Sequence, residues 1–192
     1  MRPSTAVPTA QHTVLEEVVL LDAHGSPVGV ADKRKIHGSH TPLHLAFSCY
    51  GFDSGGRLLV TRRSFTKAVF PGVWSNTCCG HPSPGEQGET AVRRRLAQEL
   101  SLIARDITLV LPRFRYRAEM DGVVENELCP VYLCRLEKQP TPDPDEVAEV
   151  RWQAWDEYVE LATGADSVIS VWSRLQVAEL ETGGHVSRFL SV

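Results

Sequence analysis

Two short pairs of reactive residues stand out in this chain. Cys79 and His81 lie two apart in Thr77-Cys78-Cys79-Gly80-His81-Pro82, and Glu125 and Glu127 repeat that spacing in Val124-Glu125-Asn126-Glu127. In extended backbone, residues i and i+2 project to one face, so each pair can aim both side chains into one cavity. A thiol, an imidazole and two carboxylates meeting there supply metal ligands and groups that give and take protons.

Patterning indicates the elements that must carry these pairs. Thr13–Asp22 predicts a strand, with a turn at His24-Gly25-Ser26-Pro27 and a second short strand after it. Lys33–His40 is basic and rich in histidine. Leu43–Phe52 alternates Leu43, Leu45 and Phe47 against His44, Ala46 and Ser48, which predicts one half-buried strand. Asp53-Ser54-Gly55-Gly56 predicts a hairpin into Arg57–Arg63, and Gly85–Leu102 has the length and composition of a helix. Strands are expected at Ile107–Ala118 and Leu128–Leu136, joined through an Asp121-Gly122 turn. Pro140–Asp145 reads as a loop, Val147–Trp152 as a strand and the remainder as mostly helix. Mixed strands with a few helices predict a single α/β (α+β) sandwich.

Composition narrows the classes. With 192 residues, 42% hydrophobic and 23% charged, the chain reads as one ordinary globular domain over 12–192 behind a flexible tail at 1–11. A net charge of −4 gives no reason to expect nucleic acid. No apolar run approaches the roughly 20 residues of a membrane span. Residues 1–11 lack a clear export signal, so the expectation is a cytoplasmic protein, a monomer or weak dimer. Five cysteines, an odd number, suit a reducing compartment, and Cys49, Cys78, Cys129 and Cys134 read as packing. His40 reads as solvent-facing.

The segment after Gly80 adds a longer pattern. Gly80, five residues, Glu86, seven residues and Arg94 resemble the opening of the Nudix signature, whereas Arg94-Arg95-Leu96-Ala97-Gln98-Glu99 replaces two of its closing carboxylates by arginine and glutamine. The fold implied is a Nudix-like α/β/α sandwich with a mixed β-sheet. One remaining carboxylate, Glu99, can help bind one Mg²⁺ but is poorly equipped for a multi-metal hydrolytic centre.

Arg62-Arg63, Pro71-Gly72-Val73-Trp74-Ser75-Asn76, Cys79-Gly80-His81-Pro82, Phe114-Arg115-Tyr116-Arg117 and Glu125-Asn126-Glu127 occur in the order seen in type I isopentenyl-diphosphate isomerases. The resemblance covers roughly Val14–Asp156. It implies interconversion of isopentenyl and dimethylallyl diphosphate by proton addition and removal through a tertiary carbocation. It also implies a single Mn²⁺, Zn²⁺ or Mg²⁺ on His37, His44, His81, Glu125 and Glu127, and a catalytic pair of Cys79 and Glu127 with Tyr116 assisting. Lys33, Arg63, Lys67 and Arg95 match diphosphate contacts, and Glu99 matches the ligand of a substrate-borne Mg²⁺. Aligning Ile169-Ser170-Val171-Trp172 with the family puts Ser167 where a substrate-facing tryptophan belongs; in a shifted register Trp172 itself faces the pocket. With Ser167 at that position, the alternative is a paralogue that isomerises or cyclises a longer or branched prenyl diphosphate. A Nudix hydrolase and a non-catalytic prenyl-diphosphate binder are the remaining alternatives.

Overall fold

The computed structural model describes residues 16–191. Strand β1 (Glu17–Leu21) turns into β2 (Pro27–Asp32), and a four-residue helix α1 (Lys33–Ile36) follows. The chain continues through β3 (His44–Leu45), β4 (Phe47–Phe52), β5 (Leu58–Arg63), β6 (Trp74–Ser75) and β7 (Cys78–Gly80) to helix α2 (Gly88–Leu100). Next come β8 (Ala104–Leu111), β9 (Arg115–Met120), β10 (Val123–Leu128), β11 (Val131–Leu136) and β12 (Val147–Gln153). Three helices close the chain: α3 (Trp155–Thr163), α4 (Val171–Thr182) and α5 (His185–Leu190). The proposed strand residues 13–15 and the tail lie outside the described residues.

Two sheets share the strands. One has the order β2-β1-β3-β10-β9; the other runs β12-β5-β4-β11-β8, with β6 added beside β5 and β7 beside β4. Helix α2 covers one face of the second sheet through Val92, Leu96 and Leu100, which pack with Phe47, Cys49 and Cys134. Helices α3 to α5 cover its other face through Trp155, Tyr158, Trp172 and Val177, packed with Tyr50 and Phe52. Both faces of β4 are therefore dry, and all six of its residues are buried. This is an α/β/α sandwich with mixed pairing, as the sequence predicts.

Three expected strands are divided differently. Leu43–Phe52 is not one half-buried strand: it breaks at Ala46 into β3 and β4, which belong to different sheets. Ile107–Ala118 likewise divides into β8 and β9 across the two sheets. The stretch expected at Leu128–Leu136 is the end of β10 plus β11, separated at Cys129-Pro130. The break has one physical origin. Segments 44–52 and 127–135 run parallel, pairing first as Glu127↔His44 and then as Val131↔Ser48. Both cross from one sheet to the other at the same level, while Ala46 and Ser48 N–H groups donate to the carbonyls of Leu128 and Pro130. Pro130, with no N–H to offer, suits the gap in the ladder.

Candidate active site

The crossing point holds the site, and strand register places its residues. On the first sheet Tyr116, Glu127 and His44 form one row across β9, β10 and β3. The turn feeding β10 has Asp121 at φ 50° and Gly122 at φ 78°, the doubly positive geometry that favours Asp-Gly. On the second sheet Cys79 of β7 pairs with Ser48 of β4. Gly80 lets β7 lie close, because a Cβ there would stand 3.1 Å from Arg95 Cγ and 3.2 Å from Phe47. The thiol and the carboxylates thus come from different sheets and line the same cavity.

His37, His44, His81 and Glu127 offer ligand atoms that all lie within 4.8 Å of one another. His81 Nε2 is 3.2 Å from His44 Nε2 and 3.2 Å from Glu127 Oε1, and His44 Nε2 is 3.4 Å from that oxygen. The other ring nitrogens of two histidines are committed: His37 Nδ1 contacts the Lys33 carbonyl at 3.3 Å and His44 Nδ1 the Pro42 carbonyl at 3.0 Å. Donation through Nδ1 leaves each Nε2 with a lone pair aimed inward. His37 Nε2 is buried without a hydrogen-bond partner. Converging lone pairs and one orphaned acceptor are what a divalent cation resolves, so the residues fit a metal. Glu125 stands outside this mutual group, although it lines the same cavity.

The metal-free electrostatics divide the two carboxylates. Burial and the Glu127 charge push Glu125 up to about 7. Burial acts on Glu127 in the same sense, but the His44 and His81 rings beside its carboxylate outweigh it and hold Glu127 well below the usual range. The Tyr116 hydroxyl reaches both, at 2.7 Å from Glu125 Oε2 and 2.8 Å from Glu127 Oε2. Burial pushes the Cys79 thiol up to about 11, so it rests protonated. Burial and its two imidazole neighbours lower His37 to about 4.

Lys33, Arg63, Lys67, Arg95 and Glu99 all line this cavity as well. All of these except Arg63 already meet an opposite charge. Arg95 bonds Glu99 through Nε at 2.8 Å and approaches Glu146 at 3.2 Å, while Lys67 pairs with Glu146. Lys33 pairs with Glu16 at 2.5 Å. Arg63 donates to the carbonyls of Phe70 and Val69. With these pairs closed, the open volume is about 80 Å³, space for roughly three waters. A larger groove of about 1160 Å³ lies elsewhere, among Arg57, Arg105, Arg135 and Arg188, and holds none of the reactive pairs.

Two residues went unassigned at the level of sequence, and one assignment changes. Ser167 does not line the cavity; Trp172 does. Its ring lies 5.9 Å from Tyr116 and 5.3 Å from Phe70, with the Arg63 guanidinium 6.0 Å away. The Trp172 ring follows a parallel bridge between Ile169 and Trp74. Glu146 and Asn76 were missed. Glu146 sits in an acidic loop with no periodic signal, and Asn76 acts through contacts that only the fold creates.

The fold and this site define a member of the NUDIX domain family, whose match spans residues 42–172. A Deinococcus radiodurans crystal structure shares the fold at TM-score 0.63 and 19% identity, over 85% of this chain and 98% of that one. A MutT protein from Methanosarcina mazei does so at TM-score 0.58 and 16% identity, over 74% and 96%. Sequence relatives are far nearer. An isopentenyl-diphosphate Delta-isomerase of Saccharopolyspora erythraea is 52% identical over 86% of this chain and 86% of its own length. That of Frankia alni is 50% identical over 95% and 92%. The chain belongs to the isopentenyl-diphosphate Delta-isomerase family. Among the described residues, no helix is long and apolar enough to cross a membrane.

Proposed function

We propose that this chain interconverts isopentenyl diphosphate and dimethylallyl diphosphate, with Cys79 and Glu127 moving the protons. The observation that carries the reading is the shared cavity: a half-buried thiol on one sheet and a buried carboxylate on the other, with four cations at its rim. One group adds a proton to the terminal methylene and leaves a tertiary cation at the branching carbon. The opposite group removes a proton from the carbon on the diphosphate side, which shifts the double bond. In the reverse direction the two groups exchange roles. Both must change protonation state, and a closed cavity keeps water from quenching the cation.

Each remaining residue has a chemical task. Tyr116 bridges Glu127 and Glu125 through its one hydroxyl and steadies the carboxylate as its charge changes. Trp172 offers a π face to the cation. Lys33, Arg63, Lys67 and Arg95 anchor the diphosphate, which breaks no bond. His37, His44, His81 and Glu127, with Glu125, would hold one Mn²⁺, Zn²⁺ or Mg²⁺, whose charge would fix the Glu127 carboxylate and lower its proton affinity. Glu99 is the candidate for a Mg²⁺ that accompanies the diphosphate, in exchange for its present pairing with Arg95. An aromatic ring at the cavity, that of Trp172, supports a C5 substrate over a longer one.

The test is incubation with isopentenyl diphosphate and Mg²⁺ in D₂O, with geranyl diphosphate in parallel. Dimethylallyl diphosphate carrying deuterium is the expected product. Turnover of geranyl diphosphate alone, or release of phosphate, would refute the assignment.

A further inference from the structure

A chain of buried hydrogen bonds runs from the C-terminal helices to the Cys79 sulfur. Tyr158, Ser173, Tyr50, Gln176 and Ser48 are all 0% exposed, and Asn76 is 1% exposed. Tyr158 Oη lies 2.7 Å from Ser173 Oγ, which lies 2.8 Å from Tyr50 Oη. Tyr50 donates to Gln176 Oε1 at 2.9 Å, and Gln176 Nε2 donates to Ser48 Oγ at 2.9 Å. Ser48 Oγ lies 3.4 Å from Cys79 Sγ, which donates to Asn76 Oδ1 at 3.2 Å.

Counting hydrogens gives the chain a direction. Tyr50 has one hydroxyl hydrogen and spends it on Gln176, so Ser173 donates to Tyr50 and Tyr158 to Ser173. Ser48 accepts from Gln176, which turns its own hydrogen toward the sulfurs of Cys79 and Cys129, both 3.4 Å away. The Gln176 amide also reaches Cys129 Sγ at 3.9 Å, and the Cys129 S–H can fill the second lone pair of Ser48. The Ser48 hydrogen then belongs to Cys79. At the far end, the Asn76 amide cannot flip without loss, because its Nδ2 donates to the carbonyls of Cys49 and Cys78 at 3.0 Å each. Ser75 Oγ also donates to Asn76 Oδ1 at 2.8 Å, and the Trp172 N–H is shared between Ser75 Oγ at 2.9 Å and Asn76 Oδ1 at 3.3 Å. Helix α4 therefore reaches the thiol from two sides, through Gln176 and Ser48 and through Trp172 and Asn76.

We infer that Gln176, Ser48 and Asn76 are positioning residues that fix the direction of the Cys79 S–H and keep a donor on its sulfur. This rests on Cys79 being the reacting thiol. An unconstrained S–H rotates freely about its Cβ–Sγ bond, and few of its orientations suit proton transfer. Here the hydrogen has one acceptor, and the sulfur has one donor whose hydrogen bond strengthens when the sulfur carries charge. A run of donors all pointing the same way polarises each link further.

The test compares Ser48→Ala, Gln176→Leu and the isosteric Gln176→Glu with the unaltered protein and Cys79→Ala. Gln176→Glu keeps the shape but accepts from Ser48, which turns the Ser48 hydrogen away from sulfur. The expected result is a kcat lower by about ten- to a hundred-fold, the worth of a hydrogen bond to a charged group, with KM unchanged. The S–H stretching band that vanishes in Cys79→Ala should move toward that of a free thiol in all three. Unaltered kcat and an unmoved band, with Cys79→Ala inactive, would overturn this inference and leave the reading of Cys79 standing. An active Cys79→Ala would overturn both. Should the Gln176 variants fail to fold, Ser48→Ala decides the matter, since it removes a single oxygen.

Discussion

A thiol pushed up to about 11 by burial and a carboxylate held ionised by two imidazoles make an unequal pair. Neither resting form is reactive toward water, and the cavity between them admits few waters. Cys79→Ala and Glu127→Gln should each abolish deuterium uptake into substrate, whereas Cys78→Ala should retain most of it, since Cys78 packs with Leu96 and Leu100 beneath α2. Full exchange in Cys79→Ala would sink the assignment. For Trp172, loss of a cation–π contact worth roughly 0.5–2 kcal/mol corresponds to a rate decrease of a few-fold to some thirty-fold. Trp172→Leu should show that loss in kcat. Ser167→Trp, outside the residues that line the cavity, should change nothing.

At the scale of elements, the loop between β7 and α2 is held by one ion pair. Glu86 accepts two bonds from Arg94, at 2.8 and 2.7 Å, and the same guanidinium donates to the His81 carbonyl at 3.1 Å. The Arg94 hydrogen bonds hold Glu86 below its ordinary value of 4.5, so its contribution to stability is complete above that pH and lost as pH falls through the lower folded value. Glu86→Gln should cost about 1–2 kcal/mol at pH 7 and nothing once Glu86 is protonated in both states. Urea unfolding at several pH values checks this, and a pH-independent difference would contradict it. Metal retention should fall in the variant, because His81 loses its anchor. The Gly80-x5-Glu86-x7-Arg94 spacing was legible in the sequence, though not the ion pair it makes, and so were the Asp121-Gly122 turn, helix α2 and the i, i+2 carboxylates, since each depends on local spacing. The division of Leu43–Phe52 and Leu128–Leu136 was not legible. Alternation runs unbroken through Ala46, and only the parallel partner strand, some 80 residues away, moves each half to its own sheet. The inward turn of Trp172 was hidden for the same reason: it follows from the bridge of Ile169 to Trp74.

Across the whole molecule, the proposed acid–base pair, Cys79 and Glu127, sits where two sheets exchange strands, so its separation is set by how the sheets pack and not by any single loop. The chain carries a net charge of −4, yet it gathers Lys33, Arg63, Lys67 and Arg95 at one cavity. Four bare cations would repel one another and bring counter-ions from solution. Glu146 forestalls this by spanning Lys67 and Arg95 while Glu99 takes the rest of Arg95. If the diphosphate binds these cations as proposed, Glu146 is a tethered surrogate for the phosphate. Ligand entry becomes a swap of one anion for another, with little ion release to the solvent. The KM should therefore vary only weakly with salt. In Glu146→Gln the surrogate is gone: inorganic diphosphate should bind more tightly at low ionic strength and lose that advantage steeply as salt rises, whereas identical salt slopes in the two proteins would show that no swap takes place. A residue that touches no carbon of the substrate would then set how fast the product's diphosphate is let go.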